Sequence, residues 1–318
     1  MFTSTTPTPE QTSIVAAYRT CEFATVTRRG TPMAWPVVTW QRPDGSLIVT
    51  TSIGVPQKAF NVRRTPEVAM LFSDATASGL TDPPQILVQG TASCPDEIVT
   101  DVSGLPEYWT QLMQRQPSSK SLSSAIGRRV MDFYYMRLII TVTPAAVTTR
   151  EAWPADLPLK APAVSKSERP TPFGQVATRL PDYRSGVLAA FDDAGRPTLL
   201  RVLPRVDSAG GELVLDLPDG RDLRPGAASL LCHTHDDQLD SQNSFVVAGS
   251  LRHRDGNWTL STDRFVPGPG TGGPLAVVKA VRGLRTTAAR YLERRGLPRP
   301  TVQWAAIDEL WRLARAVG

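Results

Sequence analysis

The chain is poor in cysteine and histidine, has no long apolar run and carries no stripe of clustered basic residues, and each shortage removes a class of function. Its three cysteines, Cys21, Cys94 and Cys232, are far apart and odd in number, which argues against a disulfide framework and for a cytoplasmic protein. No run of about eighteen apolar residues is there to span a bilayer, and the opening MFTSTTPTPEQ has neither the basic nor the apolar region of a signal peptide. No membrane partner is therefore expected. The three histidines, His233, His235 and His253, all fall in the second half, and no acid–base triad presents itself. Basic residues exceed acidic ones by 35 to 30, and the net charge of +5 is spread along the chain. That suits a small anionic ligand. Nucleic acid would call for a clustered basic stripe with interleaved aromatics. The arginines near the C-terminus, Arg282, Arg285, Arg290, Arg294 and Arg295, read as a solvated helix face.

What is present is a globular composition, 41% hydrophobic and 20% charged, over 318 residues, which is room for two domains. The 28 prolines favour strands with short connections over long helices. Thr8-Pro9-Glu10-Gln11 matches a capping box and predicts an N-terminal helix. Phe23 to Trp40 reads as two strands joined at Arg29-Gly30-Thr31-Pro32, and Glu67 to Ser73 and Gln85 to Ala92 as two more. Helical patches follow at Glu107 to Arg115 and Leu122 to Arg129, and Met131 to Val142 reads as a long closing strand.

The most informative stretch is DGSLIVTTSIGVPQKAFNVRRTPEVAM, Asp44 to Met70. A β-branched strand stops in the small-residue turn Ser52-Ile53-Gly54, Pro56 suits the first helical position, and Thr65-Pro66 ends the helix. Lys58 and Asn61 share a helix face. A lysine beside free N–H groups at a helix start, next to the hydroxyls of Thr50, Thr51 and Ser52, suits a phosphoryl group.

Residues 151–175, rich in proline, read as a linker. Beyond them, four segments repeat the first half in order. Val187 to Phe191 with Ala194 to Pro197, then Gly211 to Leu215, Ala228 to Leu231 and Phe245 to Ser250, echo Phe23 to Val26 with Arg29 to Pro32, Gly45 to Val49, Val68 to Leu71 and Ile86 to Thr91. This points to a tandem duplication whose second copy is degenerate: Leu217 to Asp222 stands where the first copy has Gln57, Lys58 and Asn61. Gly268 to Gly273 lacks the lysine-serine ending of a phosphate loop and reads as a connection to two C-terminal helices, their apolar positions including Val281, Leu284, Ala288, Ile307 and Trp311. Cys232-His233-Thr234-His235-Asp236-Asp237 is the most metal-like cluster, with both histidines on one strand face. It also matches the plain strand end Leu71 to Asp74 of the first copy, and no metal is expected there.

The order FATVTRRGTPMAWPVVTW, DGSLIVTTS, QKAFNVRRTPEVAM, ILVQGTA and FYYMRLIITVTP resembles the split β-barrel proteins of the pyridoxamine 5'-phosphate oxidase-like superfamily, well over residues 10 to 150 and weakly over 176 to 266. The resemblance implies a mainly β fold with flanking helices, built as two tandem split β-barrels. The expected units are a cofactor-binding barrel at 1–150, the linker, a degenerate barrel at 176–267 and a helical segment at 268–318. The two barrels would form an intramolecular pseudo-dimer, with which a monomer is compatible. It implies a flavin cofactor, FMN or alternatively the deazaflavin coenzyme F-420, its phosphate against Thr50, Thr51, Ser52, Gln57 and Lys58 and its ring along Trp35, Pro36, Val37 and Val38. Asn61 would hold the turn, and the second barrel would complete the site. The implied function is an oxidoreductase passing a hydride to or from a small-molecule substrate, or else a cofactor-binding or sensing protein without turnover. Oxidases acting on pyridoxamine phosphate have an arginine where this chain has Trp35, and a terminal Trp/Arg motif not found here, so pyridoxal phosphate synthesis is not expected.

Overall fold

A computed structural model describes residues 2–4, 7–154, 171–217, 223–254, 256–268 and 274–316. The first half contains β1 (Phe2–Ser4), α1 (Pro9–Ala17), β2 (Cys21–Val26), β3 (Pro32–Val37), β4 (Thr39–Gln41), β5 (Leu47–Ser52), α2 (Gln57–Arg64), β6 (Glu67–Phe72), β7 (Pro84–Ser93), α3 (Pro106–Arg115), α4 (Ala125–Val130) and β8 (Arg137–Ala152). The second half contains α5 (Pro172–Arg179), β9 (Gly186–Asp192), β10 (Pro197–Asp207), β11 (Glu212–Asp216), β12 (Leu223–Thr234), β13 (Asn243–Arg254), β14 (Asn257–Leu260) and β15 (Arg264–Pro267). Two helices, α6 (Pro274–Glu293) and α7 (Trp304–Ala316), follow.

The first sheet is antiparallel in the order β3-β2-β6-β7-β8-β5-β4, with β1 on β8. Its two edges are one chain segment: only Val38 separates β3 from β4. Pro36, which has no N–H to give a further neighbour, stands at the bend where the chain leaves one edge for the other and curls the sheet into a half barrel. In the second sheet, β12-β9-β10-β11-β14-β13 closes into a ring through β12–β13, with β15 added on β13. The second copy is thus the more fully closed barrel. Residues 218–222 and 269–273, where the sequence departs from the first copy or reads as a connection, lie outside the described residues.

The reason the strands read as continuous apolar runs is visible in β2, where all six residues are buried. Alternation sends Cys21 and Phe23 into the first core and Ala24 into a separate cluster between the barrels. That cluster joins Ala24, Ala34, Ala69 and Leu71 to Val187, Ala189, Leu199 and Leu231; its small side chains let the two sheets approach closely. The C-terminal helices belong to the first barrel, placing Ala288, Tyr291, Leu292, Ile307 and Trp311 in its core.

Two elements differ from expectation. Met131 to Met136 is not strand: Asp132–Tyr135 forms a 3-10 turn and the strand begins at Arg137. Tyr135 stacks on Trp109 at 5.8 Å and meets Trp304 edge-on at 5.4 Å, so aromatic packing beneath α3 and α7 overrides the local β preference. Within the proline-rich stretch, α5 starts at Pro172 on a Thr171 cap, repeating the Thr8-capped, proline-initiated α1 of the first copy, whose full capping box is formed.

Candidate functional site

The turn between β5 and α2 is held by its own polar groups. The Ser52 hydroxyl donates to the Phe133 carbonyl at 2.6 Å and accepts from Gly54 N at 3.0 Å. Thr51 Oγ1 donates to Val55 O at 2.8 Å, and Thr50 Oγ1 lies 2.8 Å from the Tyr108 hydroxyl. Ile53 N and Val55 N donate to the carbonyls of Met136 and Ser52. The N–H groups of residues 53–55 are therefore engaged within the turn, and the hydroxyls act first as its supports. Gly54 is needed for closeness: a Cβ there would stand 2.7 Å from the Phe133 ring and 3.3 Å from Leu284 O of α6. Pro56 is the N-cap of α2, one position earlier than expected.

On α2, Asn61 is fully buried. Its amide nitrogen donates to Thr25 Oγ1 at 2.9 Å, and its oxygen accepts from Gln57 Nε2 at 2.8 Å and from Arg64 Nη2 at 3.0 Å. Asn61 thus pins the helix to β2, and Gln57 holds the Asn61 amide in place.

Lys58 is different. It is half-buried, with Nζ 5.7 Å from the centre of the Trp35 ring. Burial, reinforced by the positive charge of Arg137, pushes its amine down to about 8. Arg137 stands at the head of β8 opposite Ser52 in register and is 7% exposed. Its guanidinium lies over Tyr134 at 4.0 Å and Trp109 at 5.4 Å, and its Nε is buried without a hydrogen-bond partner. Among the described residues no carboxylate pairs with Lys58 or Arg137. Two neighbouring cations drawn from water without a counter-charge are costly to the protein alone, and an anion is the chemistry that would lower that cost. Sequence reasoning passed over Arg137; the available signal was a lone arginine opening the apolar run Leu138 to Val142.

Along β3, Val37 points into the first core, while Trp35, Pro36 and Val38 are half-buried. Trp35 also packs against the interbarrel cluster, as do Ala248 and Val266 of the second barrel, so both barrels border the corner that Lys58 overhangs.

The histidine cluster is arranged otherwise. His233 and His235 are roughly parallel with ring centres 6.4 Å apart. His233 Nε2 lies 2.8 Å from Glu22 Oε1, and His235 Nε2 lies 3.1 Å from Thr20 Oγ1. Among the described residues no three His, Cys, Asp or Glu side chains gather as metal ligands, the three cysteines are buried and free, and no helix is long and apolar enough to cross a membrane.

No family model and no curated protein matches the chain. Several solved structures are similar to it over about half its length. A protein of unknown function from Agrobacterium tumefaciens is 18% identical with a TM-score of 0.31; the match covers 44% of this chain and 54% of that one. A conserved hypothetical protein from Mycobacterium tuberculosis is 21% identical with a TM-score of 0.32, covering 50% and 92%. An F420 reductase is 21% identical with a TM-score of 0.27, covering 43% and 94%. At such values the architecture rests on the strand order and register of the chain itself: a split half barrel beside a closed six-stranded barrel, with helices on the first.

Proposed function

We propose that the corner formed by Lys58, Arg137 and Trp35 anchors the phosphate end of FMN or of the deazaflavin coenzyme F-420, and that the protein is an oxidoreductase acting on a small molecule. The observation that carries this reading is a buried arginine and a half-buried lysine beside an aromatic face, neither paired with a carboxylate among the described residues. Lys58 would offer ammonium donors and Arg137 its positive charge, and an anion beside them would offset the burial and the repulsion from Arg137 that together push the lysine down. Trp35, Pro36 and Val38 would supply an apolar wall for an aromatic ring, with Trp35 packed on the cluster between the barrels. The turn residues Thr50, Thr51, Ser52, Gln57 and Asn61 would act by holding Lys58 and Arg137 in place. When bound, the flavin-type ring would itself supply the hydride chemistry, leaving the protein to bind, orient and exclude solvent.

The test is a fluorescence titration of the full chain with FMN and with coenzyme F-420. Saturable binding of one of them, weakened in Lys58→Ala, supports the site; equal affinity in both proteins removes it. Bleaching of the bound cofactor by a nicotinamide donor, with reoxidation by substrate, then separates an oxidoreductase from a carrier.

A further inference from the structure

A cavity of about 690 Å³ lies between the barrels, away from the Lys58 corner. Its floor is a polar network spanning the domain interface. Glu22, with no exposed surface, accepts from Arg201 Nη2 at 2.9 Å and His233 Nε2 at 2.8 Å through Oε1, and from the Ser73 hydroxyl at 2.9 Å through Oε2. Arg201 also donates to Ser73 and Ser185. Each nitrogen of Arg201 makes one of these bonds, which fixes the guanidinium in the floor of the cavity.

Above this floor stands Asp74. Its Oδ1 accepts from Thr76 N at 3.1 Å, while Oδ2 faces His235 Nε2 at 3.6 Å, beyond hydrogen-bond reach. The two ring nitrogens of His235 have nearer partners, Nε2 lying 3.1 Å from Thr20 Oγ1 and Nδ1 3.0 Å from the Asp236 carbonyl. Asp74 Oδ2 is left as an acceptor whose side chain is 16% exposed and which no described donor reaches. Burial raises the Asp74 carboxyl, but Arg201, His233 and His235 outweigh it and keep the group ionised. Among the formal charges, Asp74, Glu22, Asp82 and Asp182 outnumber Arg201 and Arg184, with His233 and His235 standing beside Asp74. Leu80, Pro83 and Trp153 form an apolar wall. The loop carrying Asp74 and Leu80 is held in shape by Arg19 Nε on Ala77 O at 2.9 Å, with Ala77 in the left-handed region at φ 56°.

We propose that this interbarrel cavity is a second binding site and that its ligand is a small organic amine, with the ammonium on Asp74 Oδ2 and the apolar body against Trp153 and Leu80. The volume falls in the range of small-molecule sites, and a tryptophan face beside a carboxylate is a recognised receptor for an organic cation. The same charges repel a phosphate, so the cavity is no second copy of the Lys58 corner.

The test is calorimetric titration of the full chain with 2-phenylethylamine and with 3-phenylpropionate, which share an aromatic body and carry opposite charge. The amine is expected to bind at one site and the carboxylate not at all. Asp74→Asn should weaken the amine by about tenfold or more, as loss of a charged hydrogen bond does, without altering FMN affinity. Trp153→Ala, outside the buried network, should weaken it several-fold and serves as the second variant if Asp74→Asn disturbs folding. Absence of amine binding, equal affinity for amine and carboxylate, or an amine affinity indifferent to both variants would overturn the proposal.

Discussion

Two sets of buried charges in this molecule have opposite fates. At the barrel interface Glu22 meets Arg201, His233 and Ser73, and every group in the set is satisfied. At the corner of the first barrel, Lys58 and Arg137 lie together with no carboxylate among the described residues and with Arg137 Nε unpartnered. A matched set of charges holds two domains in register; the unmatched pair lacks a counter-charge among the described residues. Burial alone says nothing about function, whereas burial without a counter-charge does.

The contrast is broken most severely at the matched set. Arg201→Met should destabilise the protein by about 3–5 kcal/mol, because it leaves Glu22 buried without its guanidinium partner; urea unfolding reads the loss, and a change below about 1 kcal/mol would show that the network is solvated. The same replacement at the corner should act in the other direction. Arg137→Met is expected to leave ligand-free stability unchanged or raised, since it removes an unmatched cation, while weakening FMN or coenzyme F-420 by about ten- to a hundredfold, as loss of a charged hydrogen bond does. A fall in stability with affinity intact would reverse the assignment.

A third prediction concerns pH. Because the folded-state lysine titrates at about 8, below its ordinary value of 10.5, the unfolded chain holds more protons between those values. Stability of the ligand-free protein should therefore rise with pH across that window. Anion affinity should fall across the same window, because the protonated amine is the binding form. Affinity independent of pH from 7 to 10 would remove Lys58 from the site. The smallest effect is expected at Thr50→Val. Loss of its contact with Tyr108 should cost about 1 kcal/mol of stability and leave anion affinity within about threefold, since that hydroxyl is a support of the turn.

Much of the architecture was legible because both strand faces are buried and neighbours in sequence pair in space. The hairpin around Gly30, which takes φ 76°, the Thr8 capping box and the repeated segments after residue 186 all carry local signals. The 3-10 turn at Asp132–Tyr135 carried none, since its form depends on Trp109 and Trp304 from distant helices. The site was half legible. Lys58 and Trp35 stand in recognisable segments, but Arg137 becomes its neighbour only through the β5–β8 register. Glu22 carried no local signal either, because its partners Arg201 and His233 lie 179 and 211 residues away.

The most direct measurement is the equilibrium stability of the wild-type chain and of Arg137→Met across increasing FMN, repeated with coenzyme F-420. A ligand held by the folded corner stabilises by RT ln(1 + [L]/Kd). The wild type should therefore gain about 2.7 kcal/mol at a hundred times Kd of its cofactor, while Arg137→Met gains little at the same concentration. Parallel gains in the two proteins, or no gain in either with both cofactors, would contradict the assignment of Lys58 and Arg137 as a receptor for an anion.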